Sequence, residues 1–278
     1  MVAVTVEAIL ESPCAKVGIT ITDLGVGDSV VTVWRIADGE RESVQGYRRV
    51  LMNDATYVED WAAPLGRPIT YEVEVLSGPG GAVRVTSDPV TVDSLVGYVQ
   101  DALVPQSAIP ITKRRAANGG PVLASKALAA LEYAADVSVY KIMGSNKPMA
   151  LFGERMAAAG VDFSMITDAA EENTKLRRLF MSAGQILVRL PASWGGALGG
   201  TCFLAVANVS ERPLNAGSGG FTTSWDLAGD VTQAPAIRVL TATFTYGDVE
   251  ILLETYQQKQ DLMAGKTYLD DLKNPIGG

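Results

Sequence analysis

The chain has 278 residues, enough for two domains that each bury a core, and its 47% hydrophobic content excludes wholesale disorder. A formal net charge of −8 argues against nucleic acid or an anionic membrane surface as partner. Histidine is absent, which excludes Ser-His-Asp and Cys-His catalysis, HExxH zinc sites and most metal-ligand sets.

The first residues, MVAVTVEAIL, have no positive n-region and no long apolar core, so no signal peptide is expected. No stretch approaches the roughly 18 apolar residues of a membrane span, so synthesis in a cytoplasm without membrane insertion is the expectation. Short alternating segments then predict a β-sandwich over residues 1–94: Val2–Leu10, Val17–Thr22, Val30–Ile36, Tyr47–Met52, Thr56–Trp61, Ile69–Leu76, Ala82–Thr86 and Val90–Val92. Turn residues separate them at Gly25–Asp28, Asp38-Gly39, Asn53-Asp54 and Gly78–Gly81. Trp34, inside VTVWR, is read as sandwich core. The run Pro64-Leu65-Gly66-Arg67-Pro68-Ile69-Thr70-Tyr71-Glu72-Val73-Glu74-Val75 resembles the E–F corner and F strand of fibronectin type III and immunoglobulin-like modules. That resemblance implies a tyrosine corner, with the Tyr71 hydroxyl turned back onto the corner backbone.

Residues 95–122 are expected to be a linker, because Val104-Pro105, Ile109-Pro110 and Asn118-Gly119-Gly120-Pro121 interrupt regular structure. Its basic cluster Lys113-Arg114-Arg115 reads as a solvated loop or a partner for acidic surface. A second β-rich domain follows over 123–246. Tyr133–Met143 alternates, Gly144–Pro148 turns it back, and Met149–Phe152 returns. Val161–Met165 is a strand. A helix over 168–183 has Asp168 as N-cap and Glu171 completing a capping box. Leu176, Leu179, Phe180 and Ala183 give it one apolar stripe, and Gly184 is the expected left-handed exit. Ile186–Val188, Thr201–Val209, Phe221–Leu227 and Ile237–Tyr246 supply further strands. One helix on such strands predicts a partly open barrel with a helix at its side. Residues 247–278 form a C-terminal arm in which Val249, Leu252, Leu253 and Tyr256 suit a helix interrupted near Gly265. The fold expectation is therefore mainly β, with a sandwich, a barrel-like domain carrying one packed helix, and a helical arm.

Candidate chemistry is sparse. Cys14 and Cys202 read as small buried hydrophobes rather than a disulfide or a nucleophile. Ala264-Gly265-Lys266-Thr267 imitates the end of a P-loop, but Gln260 stands where its first glycine belongs. Asp248, Glu250, Glu254, Asp270 and Asp271 lie in no acid–nucleophile motif, and Asp226 and Asp230 do not match a calcium loop. No enzyme activity, cofactor or metal is expected. Surface loops with glycines or an aromatic residue read instead as interaction sites. They are the 193–200 loop with Trp194, Gly195 and Gly196, the Asn215–Gly220 connection with Asn215 and Ser218, and the arm with Tyr256 and Tyr268.

Taken in order, GDSVVTVWRIADGE, VEDWAAPLG, QDALVP, MGSNKPMALFGER, LRRL, ILVRLP, FTYGDVEILLETY and TYLDDL resemble the minor tail proteins of long-tailed phages that infect actinobacteria. The resemblance implies a structural virion protein at the tail tip. Its second domain would be similar to the hub domain of distal tail proteins. It further implies a ring, a hexamer, whose partners are the tail tube protein, the tape measure protein and other tail-tip proteins. A heterologous ring interface would use the loops and arm just named. The competing expectation is a carbohydrate-binding receptor-recognition protein at the same tip, and a wall-degrading enzyme comes third.

Overall fold

The computed structural model describes residues 2–113, 120–144, 146–195, 200–215, 217, 219–237 and 255–265. They fall into two compact units. One comprises the described parts of Met1–Ser94, Leu103–Gln106 and Pro235–Gly278, the other those of Leu95–Ala102 and Ser107–Ala234. The chain is mainly β.

The first unit contains β1 (Ala3–Ile9), β2 (Lys16–Thr22), β3 (Asp28–Ala37), β4 (Glu40–Ser43), β5 (Val50–Asn53), β6 (Thr56–Asp60), β7 (Pro68–Ser77), β8 (Val83–Thr86) and β9 (Val90–Thr91). β1, β2 and β6 make one antiparallel sheet; β4, β3, β7 and β8, with β5 on β3 and β9 on β7, make the other. Val17, Ile19 and Ile21 of β2, Val58 of β6, Val31 and Val33 of β3, and Tyr71, Val73 and Val75 of β7 are buried. Their period of two is that of strands with one wet face. The β3–β4 hairpin turns on Asp38 and Gly39, both at positive φ (52° and 83°), the geometry of a tight two-residue turn. β4 has the sequence Glu-Arg-Glu-Ser; nothing apolar marks it, and it becomes a strand by pairing with β3.

Two expectations change here. Trp34 has the opposite parity to buried Val31 and Val33, so it lies on the outer face of β3 rather than in the core. Arg41 stacks on its ring at 3.8 Å, and its indole N–H donates to Glu74 at 2.8 Å. The Tyr71 hydroxyl, expected on the corner backbone, donates to the buried Asp60 carboxylate at 3.0 Å. Asp60 stands at the end of β6, in reach of Tyr71, and a carboxylate is the stronger acceptor. It also takes Arg35 Nη1 at 3.1–3.2 Å and the Ala62 N–H at 3.0 Å. Burial opposes the Arg35 charge, but Asp60, Tyr71 and Glu42 outweigh it and hold the guanidinium above its ordinary value.

The second unit contains β10 (Gly97–Asp101), β11 (Ile109–Ile111), β12 (Val122–Leu123), β13 (Ala135–Tyr140), β14 (Met149–Arg155), β15 (Val161–Asp162), β16 (Met165–Thr167), α1 (Ala170–Ser182), β17 (Ile186–Arg189), β18 (Thr201–Pro213) and β19 (Thr223–Thr232). The main sheet runs β11-β10-β17-β18-β19-β16-β12, with β15 also on β19. Its two ends meet: Thr112 N–H donates to Pro121 O at 3.0 Å and Leu123 N–H to Thr112 O at 3.2 Å. The result is a nearly closed barrel. Val99, Ile111, Phe163, Met165, Val188, Leu204, Trp225 and Leu227 fill it, together with Leu176 and Leu179 of α1.

Residues 95–122 are thus no linker, since they supply β10, β11 and the first residue of β12 to this barrel. Pro110 hid β11. It sits on an end strand, exposed between buried Ile109 and Ile111, where a missing N–H costs little. The helix also begins later than expected. Backbone stays extended through Ala169, the N-cap, which makes no side-chain capping bond; Glu172, not Glu171, accepts the Asp168 N–H at 3.3 Å. α1 leaves through extended Ala183 rather than a left-handed Gly184, because β17 starts almost at once. In the first unit, a short helix α2 (Tyr256–Leu262) follows a capping box of Thr255 and Gln258. It falls within the expected arm helix and ends shortly before the interruption expected near Gly265. Residues 238–254 and 266–278, with the expected Ile237–Tyr246 strand and most of the arm, lie outside the described residues.

Candidate interaction surface

Among the described residues β13 and β14 pair only with each other, in a two-stranded antiparallel sheet apart from the barrel. A stem joins them to it. Ala159 N–H donates to Glu132 O and Met156 N–H to Ala134 O, both at 2.9 Å, and Arg155 Nη1 reaches Tyr133 O at 3.0 Å. Ala158 and Leu131 at the foot of the stem pack in the barrel core. Beyond that foot almost every residue is exposed, including apolar Val137, Val139, Tyr140, Ile142, Met149 and Leu151, with Phe152 at 74% and Met143 at 98%.

The register assigns the faces. Val137 lies opposite Phe152 and Val139 opposite Ala150, so these four share one face. Ser138 lies opposite Leu151 and Tyr140 opposite Met149 on the other. Both faces are mainly apolar. Among the described residues neither strand has a partner along its outer edge. Such an edge is a row of backbone donors and acceptors ready for another strand, and a lone two-stranded hairpin is marginal in water.

The residues chosen from sequence sit elsewhere. Trp194 is half-buried in a 3₁₀ turn after β17, packed against the barrel core, so it is no exposed anchor; its carbonyl accepts from Lys113 Nζ at 2.8 Å. Gly195 is exposed at φ 64°, capping that turn. Asn215 closes the β18–β19 connection: its Oδ1 accepts the Thr222 N–H at 3.1 Å and its backbone carbonyl accepts the Gly220 N–H at 3.1 Å. Trp194 precedes and Asn215 follows the 13 residues of β18, a rise of roughly 40 Å, so they form no single patch. Tyr256 opens α2. Gly196, Ser218 and Tyr268 lie outside the described residues.

No family model matches the sequence, and no curated protein or solved structure is significantly similar to it.

Several charged groups elsewhere are occupied structurally. Asp226 takes Lys126 at 2.7 Å and Arg212 at 2.9 Å, and the Lys126 hydrogen bond holds its carboxyl below the usual range. Asp230 accepts the Gly160 N–H. Glu74 collects Trp34, Arg84 and Arg41, and the Trp34 bond leads in lowering it. Among the described residues no three carboxylates or thiols converge as metal ligands. The two strands of the hairpin and the turn between them are legible in the sequence, but their exposure is not, because alternation predicts one buried face. One signal was present: Met149-Ala150-Leu151-Phe152 is continuously apolar, whereas a strand with one wet face alternates.

Proposed function

We propose that the chain is a structural virion protein of a phage tail tip, built to assemble with copies of itself into a ring between the tail tube and the tail-tip proteins. In this reading the barrel unit is the hub and the first unit is a fibronectin III-like module. The hairpin carries the argument. It stands on a nearly closed barrel and, among the described residues, offers two unpaired edges with exposed apolar side chains, the features of a strand meant for another chain. Pairing β14 of one copy with β13 of the next is heterologous, and a heterologous contact that closes makes a ring. Catalysis is not part of the proposal, and neither are cofactors or nucleic acid.

The receptor-recognition alternative gains nothing from the tryptophans. Sugar stacking needs an open ring, yet Arg41 lies on Trp34, Lys16 lies 4.1 Å above Trp61, Trp225 is buried and Trp194 half-buried. The proposal is tested by light scattering of the full chain, followed by imaging. A closed oligomer is expected, lost in the Val139→Asp, Phe152→Asp double variant while the far-UV spectrum is kept. An oligomer that survives this variant, or a wild-type chain monomeric at millimolar concentration, would overturn it.

A further inference from the structure

The barrel is held shut along the seam where β11 meets β12. Among the described residues two backbone hydrogen bonds cross it, Thr112 N–H to Pro121 O at 3.0 Å and Leu123 N–H to Thr112 O at 3.2 Å, around the parallel bridge of Thr112 with Val122. Backbone groups two residues apart on a strand point to the same side. Pro110 therefore faces the seam with Thr112, and Pro121 faces it with Leu123, yet neither proline has an N–H to give. Each strand thus brings one donor to the joint. The far sides of both strands are better held. β11 keeps its three pairs with β10, and β12 pairs Val122 and Leu123 with Ile166 and Met165 of β16. Beyond β12, Ala124 N–H donates to Ser164 O at 2.9 Å and Leu128 N–H to Asp162 O at 2.8 Å.

The seam also encloses a polar group that it does not satisfy. Thr112 Oγ1 is shut off from solvent and has no hydrogen-bond partner. A buried, unpartnered hydroxyl favours whichever state hydrates it. Against parting stands the apolar packing, since Ile111 is fully buried and Leu123 lies on the barrel core. We infer that this seam is a latch: β11 and β12 part as a local step while β10, β17, β18 and β19 stay paired. Parting breaks the two bonds and wets Thr112 Oγ1, and it leaves β11 on β10 and β12 on β16. It bares one edge of each strand together with Ile111 and Leu123, all of which the closed barrel hides. The other joints hold more firmly. β10 with β17 and β17 with β18 share four residue pairs each, and β18 with β19 shares ten.

Native-state hydrogen exchange on the full chain reads the latch. The Thr112 and Leu123 amides should share one protection factor, at least roughly a hundredfold below that of the best-protected β18 amides, and one weak dependence on denaturant. Thr112→Val keeps the shape of the side chain and removes the hydroxyl. It should raise the protection of both amides by about fivefold or more and leave β18 unchanged. Wild-type protection at Thr112 and Leu123 within roughly threefold of β18 overturns the latch. So does a Thr112→Val chain in which residues 112 and 123 are protected no better than in wild type.

Discussion

Replacing Asp60 by alanine removes the acceptor at the centre of the first unit's buried polar cluster. The carboxylate is 1% exposed and receives Arg35, Tyr71 and the Ala62 N–H. Its loss leaves the Arg35 guanidinium buried, with the Ala62 carbonyl at 2.9 Å and the more exposed Glu42 at 2.7 Å as remaining partners. Breaking a buried ion pair from one side costs about 3–5 kcal/mol. Against a domain stability of about 5–15 kcal/mol, that brings this unit close to unfolding. Hydrogen exchange of the full chain separates the units. Amides of β3 and β7 should lose protection by roughly a hundredfold or more, while those of β17 and β18 keep theirs. Removing both charges, as Arg35→Met with Asp60→Leu, should cost less than Asp60→Ala alone. A loss below about 1 kcal/mol, or a double variant costing the sum of its parts, would refute the reasoning.

The remaining predictions concern the second unit. Burial pushes the Cys202 thiol up to about 12, so the neutral form is favoured; native chain at pH 8 should react with iodoacetamide far more slowly than unfolded chain, read by peptide mass. Because this folded value lies above the unfolded one, its stabilising contribution is present below the ordinary thiol pKa and fades as pH rises toward 12. Asp226 has the opposite sign. Its folded pKa is depressed, so its contribution is present above the ordinary aspartate value and fades as pH falls through the folded one; Lys126→Ala should raise its titration midpoint by carbon-detected NMR. Gly97→Val should destabilise the barrel by about 1–3 kcal/mol, since a Cβ at Gly97 would lie 2.9 Å from Arg189 O and 3.1 Å from Ile111. Denaturant melts that match wild type would show that β10 can shift away from β17.

The first unit was legible because its sheets are wet on one side. Ile19 and Ile21 with threonines, or Val73 and Val75 with glutamates, alternate along their strands, and Gly and Asp mark the turns. Eight of its segments could be placed, and only β4 was missed. The barrel was harder for three separate reasons. β10 buries Gln100 beside Arg189 of β17, so two polar residues sit where the pattern demands apolar ones. β11 contains a proline, a residue that punctuates structure except on an edge. The hairpin breaks the rule that apolar residues lie inside, for Phe152 and Met143 stand in the open. That last miss also misdirected the choice of interface. Loop composition pointed to Trp194 and Asn215, which hold their own turns in place, while the open surface lay on regular strands.

The membership of β10 and β11 in the barrel also determines where this chain can be recombined. A crossover before Gly97 hands the recipient every strand of the barrel. One placed at residue 122, where the prolines and glycines invite a cut, strips β17 of its neighbour and uncovers Val188 and Arg189. In a lineage that gains, loses or trades its leading module, viable junctions should therefore cluster upstream of Gly97, and the proline-rich stretch after it should travel with the barrel.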